Sequence, residues 1–257
     1  MKKWIQLTGI LIVMVAMTIG CSKKSADKGT APLTQNYVPF KIGNLWTYRV
    51  TPSDSGSAYT ATQEIVGSSK INGHEVVVME IKNTQDPENW TKQFFQVSNN
   101  ALLLYGWQSY DAVKGDTAKI FFPDGVQWVT LPFEENKTWS IYRYTGSLAE
   151  APLVGSVLPS ADLDGDGKPD RVVLAITGKS YSIETIQAAG KSFQAYKIDI
   201  TINATVTLSQ THLTVPYPLK FGTFWFVPEV GIVKMVQYDF YGKPTDVWLL
   251  ESYSLKG

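Results

Sequence analysis

From residue 37 onward, short apolar runs alternating with polar residues are broken at close intervals by turn residues. Runs at 45–50, 59–66 and 74–81 come first, followed by 93–97, 101–107, 127–131 and 138–144. Beyond Asp170 they continue at 171–177, 180–187, 193–202 and 205–210, then at 223–227, 231–240 and 246–254. Tyr181-Ser182-Ile183-Glu184-Thr185-Ile186 is representative. Side chains on a strand point to opposite faces in turn, so a period of two describes a strand with one wet face. Asn72-Gly73, Asp124-Gly125 and Gly190-Lys191 sit between runs, where residues that tolerate positive φ make tight hairpins. No stretch sustains the 3.6-residue period of a helix. The expectation is an all-β fold (or a β-rich α+β one), an antiparallel meander forming a barrel or half-barrel, with 37–257 as one domain.

Composition narrows the function more than the fold. The chain has 257 residues, 44% hydrophobic and 18% charged, enough to bury a sizeable core and too apolar for a disordered chain. Its 23 basic and 23 acidic residues leave no electrostatic footprint for nucleic acid. One cysteine excludes a disulfide framework and a cysteine-based zinc site. Large rings recur through the body, with Trp46, Trp90, Trp107, Trp128, Trp139, Trp225 and Trp248 among many Tyr and Phe. They either fill a β core or line an apolar cavity able to take a hydrophobic ligand.

The first twenty residues read as an export signal. Lys2 and Lys3 precede an apolar run from Ile10 to Met17, then Thr18-Ile19-Gly20-Cys21-Ser22. A basic start, a short apolar segment and a small residue before a cleavage point are its marks, and the run is short of the ~20 residues of a membrane span. Gly20-Cys21 resembles the lipobox of bacterial lipoproteins, although Thr18 and Ile19 depart from its commonest residues. The resemblance implies cleavage before Cys21 and acylation of that residue, with palmitate-type chains. Such anchors hold at ~0.8 kcal/mol per buried methylene. Ser22 after the cysteine resembles the outer-membrane sorting choice of Gram-negative bacteria. Loss of Lys2 and Lys3 leaves 23 − 2 = 21 basic against 23 acidic residues, a net charge of −2. Residues 21–36 are small and polar and read as a flexible tether.

One motif carries ion chemistry. Asp162-Leu163-Asp164-Gly165-Asp166-Gly167-Lys168-Pro169-Asp170 places carboxylates at loop positions 1, 3, 5 and 9, with a glycine at 6. Calcium takes six to eight hard oxygens from a loop able to curl around it. Four Asp within nine residues repel one another without a cation, and magnesium suits such a wrapped loop less well. An EF-hand needs Glu at position 12, where this chain has Val173. The loop resembles instead the calcium-binding β-hairpin loop of FG-GAP (integrin α-type) repeats. That resemblance implies side-chain ligands from Asp162, Asp164, Asp166 and Asp170 and a backbone ligand from Lys168. The Ca2+ it implies is structural, pinning a hairpin.

Enzyme signals are thin. His74 and His212 are far apart, and Glu134-Glu135 reads as a solvated turn as readily as an acid/base pair. There is no Gly-x-Ser-x-Gly, His-Glu-x-x-His or phosphate-binding glycine loop. Two end segments point to a family. Tyr37-Val38-Pro39-Phe40-Lys41-Ile42-Gly43-Asn44-Leu45-Trp46-Thr47-Tyr48 and Trp225-Phe226-Val227-Pro228-Glu229-Val230-Gly231-Ile232-Val233-Lys234 resemble the opening and close of uncharacterised Gram-negative lipoproteins, and more distantly the LolA/LolB-like carriers. The resemblance implies a half-barrel, with no active-site residue to transfer. The expected protein is a non-enzymatic, lipid-anchored envelope module with no nucleic-acid partner, binding a hydrophobic ligand or another envelope protein. A calcium-rigidified adhesion module and a hydrolase with scattered carboxylates stand as alternatives.

Overall fold

A computed structural model describes residues 37–54, 56–98, 100–151, 162–239 and 241–256. The signal at 1–20, Cys21 and the tether at 21–36 lie outside the described residues. Twelve strands follow in order: β1 (Leu45–Pro52), β2 (Tyr59–Ile71), β3 (His74–Asn83), β4 (Asp86–Val97), β5 (Ala101–Asp111) and β6 (Asp116–Thr130), then β7 (Thr138–Ser147), β8 (Arg171–Ala188), β9 (Lys191–Thr207), β10 (Thr214–Val227), β11 (Gly231–Tyr238) and β12 (Pro244–Ser254). A 3-10 turn, Leu148–Glu150, follows β7. Among the described residues no helix is long and apolar enough to cross a membrane.

All twelve strands form one antiparallel sheet in the order β6-β5-β4-β3-β2-β1-β12-β11-β10-β9-β8-β7. β1 pairs with β12, which joins the two halves, and the sheet curls into a nearly closed barrel. The one unsealed seam lies between β6 and β7. Side chains bridge it: the Trp139 indole N–H donates to the Trp128 carbonyl at 3.2 Å, and Phe122 and Tyr142 lie 5.7 Å apart, centre to centre.

Alternation in the sequence becomes burial in the fold. On β8, Val172, Leu174 and Ile176 are buried while Val173 between them is 51% exposed. The interior of the curl holds one continuous core, including Tyr48, Ile65, Leu174, Ile198 and Leu250, all essentially solvent-free. Each such aliphatic side chain contributes roughly 1.5–3 kcal/mol on burial. Large rings fill it further, with Phe133 packed against Tyr196 and Phe226. The core-filling reading of the aromatics therefore holds for these rings.

Asn72 and Gly73, at φ 48° and 83°, close the β2–β3 hairpin as their chemistry predicts. Ala189 and Gly190 do the same between β8 and β9. The pair Asp124-Gly125 does not make a hairpin. It lies inside β6 in a bulge, where the register passes from Leu104 opposite Val126 to Gly106 opposite Phe121. The run at 180–187 is likewise not a separate strand but part of β8, with an irregularity between Ser180 and Ile183, and the run at 205–210 is the end of β9, to Thr207, and the start of the β9–β10 turn.

Candidate metal loop and outer groove

The acidic loop enters β8 at its N-terminal end, and Asp170 anchors it. Asp170 is wholly buried. Its carboxylate accepts the N–H of Leu163 at 2.7 Å and of Ser209 at 2.8 Å, and its carbonyl accepts the N–H of Leu148. Two backbone donors satisfy the charge that burial would otherwise penalise.

Ahead of this anchor, Asp162, Asp164 and Asp166 each offer an oxygen within 4.8 Å of the others. Asp162 accepts from the N–H groups of Gly165 and Gly167 at 2.7 and 2.8 Å. The Gly167 N–H holds its carboxyl below the usual carboxylate range, opposed in part by burial and reinforced by Gly165. Asp166 accepts the N–H of Lys168 on one oxygen and the Ser209 hydroxyl on the other, at 2.8 and 2.7 Å. One oxygen of Asp164 accepts the N–H of Gln210 at 3.0 Å. Its other oxygen is screened from solvent and has no hydrogen-bond partner. The two glycines, at φ 75° and 83°, allow the loop to curl so tightly.

Three of the four predicted side-chain ligands thus come together, and Asp170 stands apart from them as the peg. Sequence reading missed Ser209 and Gln210. They lie in the β9–β10 turn, some 40 residues along the chain, and only that hairpin's length brings them against the loop.

A second feature lies on the outer face of the β2–β6 half. Val66 faces outward on the plain alternation of β2, 40% exposed, and between Ile65 and Gly67 the pairing with β3 slips by one residue, which sets Gly67 opposite Val78. An open groove of about 750 Å³ begins there. Its floor is one cross-strand row: Gly67 opposite Val78, Val78 opposite Phe94, Phe94 opposite Gly106, and Gly106 opposite Phe121. Beneath it Val76, Val78, Phe94 and Tyr105 form a small second core. At one end Asn72 donates to the Pro123 carbonyl at 3.4 Å, tying the β2–β3 turn to the bulge of β6.

The other candidates for chemistry are dispersed. His74 packs near the Tyr105 ring, and His212 is in the β9–β10 turn. Glu134 pairs with Lys137 at 2.7 Å, and Glu135 accepts the Ile183 N–H.

The chain matches no protein-family model and no curated protein. Two solved structures are similar in outline. One, from Bacteroides fragilis, is named as an exported protein with a YMCC-like fold (13% identity, TM-score 0.39). The other, from Parabacteroides distasonis, is named as a lipoprotein (16% identity, TM-score 0.41). Each match covers 86% of this chain and 99% of the other. Likeness at that level is too loose to transfer a function.

Proposed function

We propose that this chain is a lipid-anchored, non-enzymatic binding module of the Gram-negative envelope, stabilised by one Ca2+ and serving a hydrophobic ligand or another envelope protein. The anchor is Cys21, the location the outer membrane, and the ion sits among Asp162, Asp164 and Asp166. The observation that carries the calcium reading is the buried, partnerless oxygen of Asp164, next to two further carboxylates. A screened carboxylate oxygen without a donor is costly, and a cation removes that cost. Asp162, Asp164 and Asp166 supply side-chain oxygens, Lys168 a carbonyl and solvent the remainder, while Asp170 holds the loop against the β9–β10 turn.

What the ion does is structural. With calcium bound, the loop, the start of β8 and the β9–β10 turn become one rigid corner. In this reading His74, His212, Glu134 and Glu135 carry no chemistry. Native mass spectrometry of the chain from residue 22 onward, which keeps all twelve strands, tests the ion directly. One calcium per chain, lost on chelation, is expected. No uptake at millimolar calcium overturns the reading, since extracellular modules fill at ~0.1–1 mM.

A further inference from the structure

We propose that the outer groove of the β2–β6 half binds a single-chain anionic amphiphile, an acyl tail bearing an acidic head. The proposal deepens the binding-module reading and rests on it. The volume of about 750 Å³ lies within the ~300–1,000 Å³ of small-molecule sites. Two large apolar side chains, Val66 and Phe121, are each 40% exposed in its wall. Exposed apolar surface gathered in one concavity marks a binding site more often than a free surface. Gly67 opens the floor row, since a Cβ placed on it would meet nothing within 4 Å.

Charge selects the occupant. Both charged residues of the lining are lysines, Lys70 and Lys92. Lys92 faces Gln108 across the β4–β5 ladder at the edge of the apolar floor. Lys70 lies 3.9 Å from Glu75, and Lys92 shares Glu80 with Lys82, at 3.6 and 2.6 Å, so three lysines meet two carboxylates and one positive charge is left over at this edge. An acidic head at Lys92 and Gln108 places the tail over Phe94, Val66 and Phe121, towards the tied end at Asn72 and Pro123. The site is on the outside of the curl, distinct from the ring-filled interior.

Equilibrium dialysis of the chain from residue 22 onward, with laurate and with dodecanol below their aggregation thresholds, tests this. One laurate per chain is expected, held about fivefold tighter than dodecanol, the margin of one partly exposed ion pair. Lys92→Gln erases that margin while leaving dodecanol unchanged. Gly67→Leu, whose side chain enters open space, and Phe121→Asp, which sets a repelling charge in the apolar wall at an exposed position, each abolish binding of both. Circular dichroism and calcium uptake stay unchanged in all three, so failure of the groove is separable from failure of the calcium reading. Absence of one-to-one binding, or binding indifferent to both blocking variants, overturns the proposal. Equal affinity for the two amphiphiles overturns the anionic head. A concentration-dependent dimer dissolved by Gly67→Leu assigns the groove to a second copy instead.

Discussion

The indole N–H of Trp46 donates to the carbonyl of Val230 at 2.6 Å, across 184 residues of chain. Two residues on, the Tyr48 hydroxyl donates to the Ile232 carbonyl at 2.9 Å. The opening and closing segments of the fold therefore lock directly together. Their glycines have defined tasks: Gly43 and Gly231 sit at φ 85° and 103°, and Gly231 leaves room for the Trp46 ring, which a Cβ there would meet at 3.3 Å. Trp46→Phe keeps most of the apolar volume and leaves the Val230 carbonyl without its donor. A loss of about 1–3 kcal/mol is expected, read as a lower urea midpoint with unchanged slope. An unchanged midpoint refutes the lock.

Asp170 and Asp164 separate under chelation. With calcium removed, Asp170→Ala strips the buried N–H groups of Leu163 and Ser209 of their acceptor, at about 2–4 kcal/mol. Asp164→Ala in the same buffer costs little or is stabilising, because it relieves carboxylate repulsion and an unsatisfied buried oxygen. Urea melts of both variants in EDTA give the comparison. The reverse ranking contradicts the division into peg and ligand.

Ser209→Ala removes the hydroxyl on Asp166 but keeps the backbone N–H on Asp170. The expected result is a folded chain whose calcium affinity drops several-fold, the scale of about one hydrogen bond. Calorimetric titration reads it, and an unaltered affinity removes Ser209 from the site.

Acid stability depends on Glu184. Its carboxylate takes Lys197 at 2.9 Å and the Trp225 indole N–H at 2.8 Å, joining β8, β9 and β10. The Lys197 hydrogen bond, and then that of Trp225, hold its pKa below the ordinary 4.5. A carboxyl depressed in the folded state adds stability that is complete above the unfolded value and is lost as pH falls through the folded one. Glu184→Gln therefore flattens the acid side of the Tm–pH curve below about pH 4.5. At neutral pH it lowers Tm by only a few degrees, since the pair is partly exposed. An acid limb identical to wild type rules the contribution out.

Alternation made most strands legible, since Trp46, Tyr48 and Val50 point inward at every second position. Bulges were not legible, because a single inserted residue flips every later side chain to the other face. That is why Gly67, which plain alternation turns inward, lies instead opposite Val78 in the floor of the groove, and why Asp124-Gly125 looked like a hairpin turn. Within the acidic loop, spacing announced the three clustered carboxylates. It could not announce that Asp170 would be buried with a backbone donor on each oxygen, nor that Ser209 and Gln210 would arrive from a distant turn.

Calcium titration of wild type and Asp164→Ala by native mass spectrometry, with chelated controls, is the most direct test of the central claim. One ion per wild-type chain at millimolar calcium, absent from Asp164→Ala while that variant keeps its β-sheet circular dichroism, is the predicted result. Wild type without the ion, or a variant that retains it, contradicts the account.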